Sequence, residues 1–161
     1  KKMSQLKLNE MRDFVQKQKE LYEDYFEELK KVKSAIANYK RVKDIIEMQV
    51  TMVNEYKGAW ALFRQDKNFT AEELEYMLNI YTGMMDESIK NIDQLFMVVN
   101  AFATQMADAK RLEIINGVAD NVQQQLLDMK EFNSQNKMLS LQRASEKGEI
   151  EYVKRLYWLS R

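Results

Sequence analysis

The sequence contains no cysteine and no histidine. These two absences remove disulfides, thiolate nucleophiles, imidazole general bases and the commonest zinc ligands together. They also exclude the Glu-x-x-His pairs with which helical bundles hold two iron ions. We therefore expect a protein that is not an enzyme, with no catalytic residues, no metal, no cofactor and no small-molecule substrate.

Proline is also absent, and the sequence has only four glycines. Proline and glycine are the residues that most often mark turns, and a β-rich fold of this size needs many turns. Good helix formers such as alanine, leucine, methionine, glutamate and lysine fill the chain instead. Because 45% of the residues are apolar, the chain can bury a core, and the composition favours a single all-α domain over residues 1–161.

Charge and hydropathy argue against two classes of partner. The chain has 25 basic and 25 acidic residues, whereas nucleic-acid binders concentrate positive charge. No stretch approaches the roughly 20 apolar residues that a membrane-spanning helix needs. We therefore expect neither a nucleic-acid partner nor a direct membrane span.

One basic group leaves an anionic-lipid or nucleic-acid patch open as an alternative. Its members are Lys30, Lys31, Lys33, Lys40, Arg41 and Lys43. Because Glu27 and Glu28 stand nearby, we favour the solvated face of a helix for this group.

Apolar residues recur at alternating steps of three and four, which puts them on one stripe of each helix. The first stripe contains Tyr22, Tyr25, Leu29, Val32, Ile36, Tyr39, Ile46, Val50 and Val53. The second contains Leu74, Leu78, Tyr81, Met85, Ile92, Leu95, Val99 and Phe102, with the polar Ser88 at the step between Met85 and Ile92. The third contains Leu112, Ile115, Ala119, Val122, Leu126, Met129, Phe132 and Leu139. This spacing predicts helices at about 1–64, 71–104 and 108–147, with Asp108 as the cap of the third and a short helix at 149–159.

The strongest local signal is the turn before the second helix. Thr70 is a good N-cap, and Glu73 stands three residues later, where it can complete a capping box. Phe69 before the cap and Leu74 at the fourth helical position are spaced as a hydrophobic staple. The second helix should therefore begin at Ala71.

Long helices joined by short turns predict an elongated antiparallel three-helix bundle with coiled-coil-like packing and a short C-terminal helix. The second helix reaches back along the first only to about Leu29, so an N-terminal helical segment overhangs the bundle. Five apolar residues of this overhang form our candidate interaction surface: Leu6, Leu8, Met11, Phe14 and Val15. Burying each is worth about 1.5–3 kcal/mol. The overhang either folds back on its own bundle or pairs in trans with another copy or another protein. We favour pairing in trans, since no proline or glycine before Gly58 turns the chain back.

Most methionines and aromatic residues lie on the apolar stripes and are expected in the core. Four aromatic residues lie off the stripes and cluster near predicted helix ends. They are Trp60, Phe63, Tyr157 and Trp158.

Several short motifs follow one another in a fixed order over about residues 50–159. The first is Asp66-x-Asn68-Phe69-Thr70-x-Glu72-Glu73-Leu74, followed by Tyr81 and Glu87-Ser88. Met106-x-Asp108-Ala109-x-Arg111, Phe132-Asn133-x-x-Asn136-Lys137, Leu139-Ser140-x-x-Arg143-Ala144 and Leu156-Tyr157 come next. In order and spacing they resemble a helical family encoded in the transfer operons of Bacteroidetes conjugative transposons. That family is similar to the periplasmic minor pilus subunits of type IV secretion systems.

The resemblance implies a non-enzymatic structural or assembly component of a conjugative transfer apparatus. Its partners would be other apparatus proteins or itself, and its place the periplasm or cell envelope, with an export signal removed from this chain. Many members of the family end in Leu-Tyr-Gly, where this chain has Leu156-Tyr157-Trp158. The alternative is a cytoplasmic coiled-coil adaptor or membrane-surface scaffold, which an upstream export signal or a test of binding to anionic vesicles would distinguish.

Overall fold

The computed structural model describes residues 36–100 and 106–159, together with positions 9, 12, 13, 16, 17 and 20. The two continuous ranges contain only helices and the turns between them. In chain order the helices are α1 (Ile36–Phe63), α2 (Ala71–Asn100), α3 (Asp108–Lys147) and α4 (Ile150–Lys154). A π-helical turn, Arg155–Leu159, follows α4 without a break. The all-α fold class is confirmed.

The three long helices form an antiparallel bundle. Near one end, Val42 at the start of α1 lies in one apolar cluster with Val98 of α2 and Ile115 of α3. Near the other end, Phe63 at the end of α1 shares a second cluster with Met77 of α2. Consecutive helices therefore run in opposite directions, and α1 and α3 run in the same direction, as in an up–down–up bundle.

The predicted apolar stripes correspond largely to the observed core. On α2, Tyr81, Met85, Ile92 and Leu95 are almost fully buried. Leu112 differs, because it belongs to the predicted stripe of α3 but is 41% exposed.

Three of the four aromatic residues that lie off the stripes belong to the larger cluster. Trp60, Phe63 and Tyr157 are buried, and only Trp158 remains 45% exposed. The ring of Phe63 lies edge-on to Phe69, with 5.7 Å between centroids, and 5.8 Å from the ring of Tyr157. Trp60 and Phe63 lie in the last turn of α1, and together with Phe69 and Tyr157 they close this end of the bundle.

The turn between α1 and α2 contains the predicted capping box. The Thr70 amide donates to Oε1 of Glu73 at 3.0 Å, and the Glu73 amide donates to Oγ1 of Thr70 at 3.1 Å. Phe69 is buried and Leu74 packs against the same cluster, as the staple requires. The observed first helical residue, Ala71, is the predicted one.

The two ends of α3 behave differently. The N-cap is Ala107 rather than Asp108, and no side chain caps the helix there. Asp108 is the first helical residue and accepts a 2.6 Å bond from Arg111, which also donates to the carbonyl of Met106. The carboxylate therefore binds a cation one turn ahead instead of the orphan amides. At the other end Gly148 has φ of 71°, the left-handed conformation that ends helices and favours glycine, so the predicted stop is confirmed.

Polar pairs that the heptad pattern did not predict cross the core between helices. Gln49 of α1 is bonded to Ser88 of α2, and Tyr81 of α2 to Asn133 of α3. All four side chains are buried. Because a buried polar group costs free energy unless it is hydrogen-bonded, these pairs fix which residues of neighbouring helices lie at the same level.

The candidate interaction surface formed by Leu6, Leu8, Met11, Phe14 and Val15 lies outside the described residues. In the basic group, Lys40 and Lys43 are exposed. Arg41 is partly exposed, with its Nη2 3.7 Å from Asp120. These three side chains match the solvated helix face that we favoured.

We predict that Thr70→Ala lowers the free energy of unfolding by about 1 kcal/mol, because the N-cap bond to the Glu73 amide is lost. Urea denaturation measures the change. Thr51→Ala is the matched control, since the exposed Thr51 hydroxyl bonds to the carbonyl of Glu47 one turn earlier in α1 and alanine is the better helix former there. Equal stability of Thr70→Ala and wild type would contradict the capping assignment.

Candidate interaction surface

A buried carboxylate, Asp66, joins three parts of the chain at the closed end of the bundle. Its Oδ1 accepts the Asn68 amide at 2.8 Å. Its Oδ2 accepts the hydroxyl of Ser140 on α3 and the hydroxyl of Tyr157 in the π-helical turn, each at 2.5 Å. Asn68 also donates its Nδ2 to Ser140 at 3.2 Å. We call these four residues the Asp66 network; it holds the α1–α2 turn, α3 and the C-terminal turn together.

A second bridge runs beside the network. The guanidinium of Arg143 on α3 donates two hydrogen bonds to the carboxylate of Glu73, at 2.9 and 2.8 Å, and a third to the carbonyl of Asn68 at 2.8 Å. Two parallel bonds of this kind fix both distance and angle. The pKa of Glu73 falls to about 2, first because Arg143 hydrogen-bonds the charged form and then because the Thr70 amide does. Glu73 therefore caps α2 and ties it to α3.

An outer layer covers the Asp66 network on the solvent side. The Tyr152 hydroxyl of α4 donates to the carbonyl of Gln65 and accepts the amide of Lys67, both at 3.3 Å. The Lys67 ammonium lies 4.5 Å from the centre of the Tyr152 ring and 3.1 Å from Glu149. These contacts keep α4 against the turn, although α4 itself has only five residues.

Burial changes the chemistry of the tyrosines in this part of the molecule. Burial, and then the neighbouring Asp66 carboxylate, raise the pKa of Tyr157 well above its usual value. Burial likewise raises the pKa of Tyr56 to about 12. Both hydroxyls therefore stay protonated at physiological pH, and Tyr157 acts as a hydrogen-bond donor.

With α4 held in this way, a groove of about 900 Å³ opens between it and the second half of α3. Its floor and walls include Met138, Leu139 and Leu141 of α3 and Ile150 of α4, while Glu146 and Lys154 are its charged members. Met138 is 56% exposed although it is large and apolar. Apolar grooves are one kind of surface on which proteins bind the apolar face of an amphipathic helix.

Further apolar residues extend this surface. Leu127 lies 11 residues before Met138, which is three helical turns, so the two side chains share one face of α3. Leu127 is 54% exposed. Trp158, at the end of the π-helical turn, packs edge-on against Tyr157 with centroids 5.7 Å apart. Exposed apolar patches usually mark places where another molecule binds. We therefore assign the groove, together with Leu127 and Trp158, as a second candidate interaction surface, which lies within the described residues.

The sequence motifs have a structural explanation here. Asp66, Asn68, Ser140 and Tyr157 come from three separate motifs yet form one hydrogen-bonded network. Within the described ranges no cluster of three acidic side chains forms a metal site, and Glu73 of the acidic first turn is engaged by Arg143. In the same ranges no helix is long and apolar enough to cross a membrane.

The sequence did not predict the groove. Met138 and Leu141 lie three positions apart on α3, off the predicted stripe, and two residues are too short a pattern to predict a second apolar face. Ile150 becomes their neighbour only because Gly148 turns the chain back. The only available signal was the presence of large apolar residues off the predicted stripe.

Comparisons with family models, with curated proteins and with solved structures found no match to this chain.

We predict that Tyr157→Phe lowers the free energy of unfolding by about 1.5–3 kcal/mol, the range for a hydrogen bond to a carboxylate. The phenylalanine keeps the ring packing against Phe63, so the change reports the lost bond to Asp66. Tyr152→Phe is the matched control, because its hydroxyl bonds are 3.3 Å long and partly solvated. Denaturant melts in which both variants lose the same stability would contradict a central role for Asp66.

A third prediction concerns acid stability. Because Glu73 has a lowered pKa in the fold, its ion pair stabilises the protein above the usual glutamate pKa of 4.5. That contribution should be lost as pH falls toward about 2. Glu73→Gln can still accept the Thr70 amide but not the ion pair, so its stability should depend less on pH between 4.5 and 2. Glu75→Gln, an exposed change on the same helix, should keep the wild-type pH dependence. Parallel pH profiles for wild type and Glu73→Gln would refute the proposed linkage.

Proposed function

We propose that this protein is a non-enzymatic structural or assembly component of a conjugative, type IV secretion-like transfer apparatus in the cell envelope. It acts through contacts with other apparatus proteins or with itself. The observation that carries the proposal is the convergence of the motifs that resemble the transfer-operon family. Asp66 and Tyr157 are separated by 91 positions in sequence and meet at 2.5 Å.

This convergence supports the resemblance because residues from separate motifs form one hydrogen-bonded network. A chance likeness among helix-rich sequences would match good helix formers at exposed positions. Here the matching residues include the buried Ser140 and Asn133, which bond across helices to Asp66 and Tyr81. A family related to this chain would need the same residues to build the same bundle.

The surface supports a role in assembly. A narrow bundle with an open apolar groove at one end offers neighbours both a lateral face and a terminal face. Interfaces between proteins are enriched in methionine and aromatic residues at their centres, and Met138 and Trp158 are exposed here. Placement in the periplasm follows from the resemblance alone.

The cytoplasmic adaptor or membrane-surface scaffold stays the second candidate. The observation in its favour is the pair of exposed lysines, Lys40 and Lys43, at the start of α1. Basic residues near a membrane surface contribute about 1 kcal/mol each toward anionic lipid. Within the described residues the basic group contributes only these two exposed lysines, so this function ranks second.

The proposal predicts that removal of the gene from its conjugative element abolishes DNA transfer between cells without slowing growth. The wild-type gene should restore transfer when supplied separately, and the protein should fractionate with the periplasm. Phe69→Ala, which destabilises the closed end of the bundle, should restore transfer poorly. Normal transfer without the gene would contradict the proposal, and cytoplasmic protein that binds anionic vesicles would favour the adaptor.

A further inference from the structure

The buried apolar side chains of the bundle form two separate clusters. The closed-end cluster includes Phe63 and Met129. The other, which we call the far-end cluster, includes Ile46, Leu95 and Val122. Each of the three long helices contributes to both clusters, so the apolar core is interrupted partway along the bundle.

A layer of polar side chains lies at the interruption. Gln49 of α1 is bonded to the hydroxyl of Ser88 on α2 and also donates its Nε2 to the Ser88 carbonyl at 3.3 Å. Asn91 of α2 donates its Nδ2 to Oε1 of Gln125 on α3 at 2.8 Å. We call these four residues the polar layer, and it includes all three long helices. On α2 the layer lies on the closed-end side of the boundary, since Ile92, which follows Asn91, belongs to the closed-end cluster.

The polar layer is the level at which the helices separate most easily. On α1, Gln49 lies three residues after Ile46 of the far-end cluster and three before Met52 of the closed-end cluster. On α3, Gln125 lies three residues after Val122. Amide and hydroxyl groups can exchange their mutual hydrogen bonds for bonds to water when helices part, whereas apolar side chains lose their burial. Opening of one cluster therefore need not spread across the layer to the other.

The closed end has the stronger contacts on its side of the layer. Among the described residues, the closed-end cluster buries six aromatic side chains, and each such ring buries about 150–250 Å². The Asp66 network and the bonds from Arg143 to Glu73 also tie the α1–α2 turn to α3. Separating the helices at this end would break all of these contacts together.

The far end has weaker contacts in the part of the chain that the structure describes. The buried members of its cluster there are all aliphatic. α3 begins in this part with Ala107 as N-cap and without a side-chain cap. The ion pair between Arg41 of α1 and Asp120 of α3 is 3.7 Å long and lies at the surface, where such pairs contribute little to stability.

We propose that the far end of the bundle, residues 36–48, 93–100 and 108–124, opens as one unit at the polar layer while the closed end stays folded. Proteins commonly open in such contiguous cooperative units, whose free energies are smaller than that of global unfolding. Opening exposes the aliphatic face of the far-end cluster and leaves the groove beside Ile150 intact. This inference goes beyond the proposed function, since the opening is a property of the isolated chain.

Hydrogen exchange of the full wild-type chain, followed by mass spectrometry, tests the proposal. Backbone amides of residues 112–124 should exchange on the order of a hundredfold faster than those of residues 130–144 of the same helix. They should share one rate that rises with low concentrations of urea, because a cooperative opening exposes buried area. A graded rate that is insensitive to urea means fraying of the helix end and overturns the proposal. Exchange of both parts at the rate of global unfolding overturns it as well.

Two buried alanines of α3 give a matched pair for a second readout. Ala119 belongs to the far-end cluster and Ala144 to the closed-end cluster, and both are almost fully buried. Because the natural chain has no cysteine, Ala119→Cys and Ala144→Cys each introduce a single thiol that an aromatic disulfide reagent can modify. We expect Ala119→Cys to react faster, although Ala144 is nearer to an end of α3 and fraying would favour it. Circular dichroism melts verify that each variant folds. Equal rates, or faster reaction of Ala144→Cys, contradict the proposal.

Replacement of the polar layer tests whether it is the boundary. Gln49→Leu with Ser88→Ala replaces both partners by apolar groups and leaves neither side chain unpaired. In this background the ratio of the two thiol reaction rates, Ala119→Cys over Ala144→Cys, should fall by roughly tenfold or more, because the clusters become continuous. Gln123→Leu, an exposed change on the far-end part of α3, is the control and should leave the ratio unchanged. An unchanged ratio in the Gln49→Leu/Ser88→Ala background contradicts the proposal.

Discussion

The buried carboxylate of Asp66 is the interaction on which the closed end of the bundle depends. A buried carboxylate is costly unless hydrogen bonds replace its lost water, and here an amide and two hydroxyls do so. The donors come from the turn, from α3 and from the C-terminal π-helical turn. No two of these parts can separate without leaving a polar group unpaired. The position of α4, and with it the groove beside Ile150, follows from that constraint.

Local signals in the sequence predicted the helices and their ends well. Thr70 and Glu73 predicted the start of α2 because a capping box needs only residues three positions apart. Gly148 predicted the end of α3 for a similar reason. The predicted cap at Asp108 was wrong because a local pattern there has more than one solution. A carboxylate near a helix start has two possible partners, the orphan amides and a basic residue one turn on, and Arg111 is the partner here.

Long-range polar pairs could not be predicted, because a single sequence contains no local pattern that indicates a contact between residues as far apart as Asp66 and Ser140. The same holds for Gln49, which sits in the core because Ser88 bonds to it. These residues look like polar interruptions of a stripe or like ordinary surface residues. Their role depends on the levels at which three helices meet. That information was present only indirectly, in the order of the motifs on which the family resemblance rests.

The residues that hold the fold together and the exposed apolar residues suit different roles. Several residues of the motifs already have hydrogen-bond partners within the fold. Glu73 is bonded to Arg143, Tyr81 to Asn133, and Asp108 to Arg111. A side chain whose hydrogen bonds are used to hold its own fold is a poor candidate for binding a partner. Met138, Leu127 and Trp158 belong to none of those bonds, and they are large, apolar and exposed. They therefore stay available for contacts with other molecules, and mutations that separate folding from assembly belong at these positions rather than in the motifs.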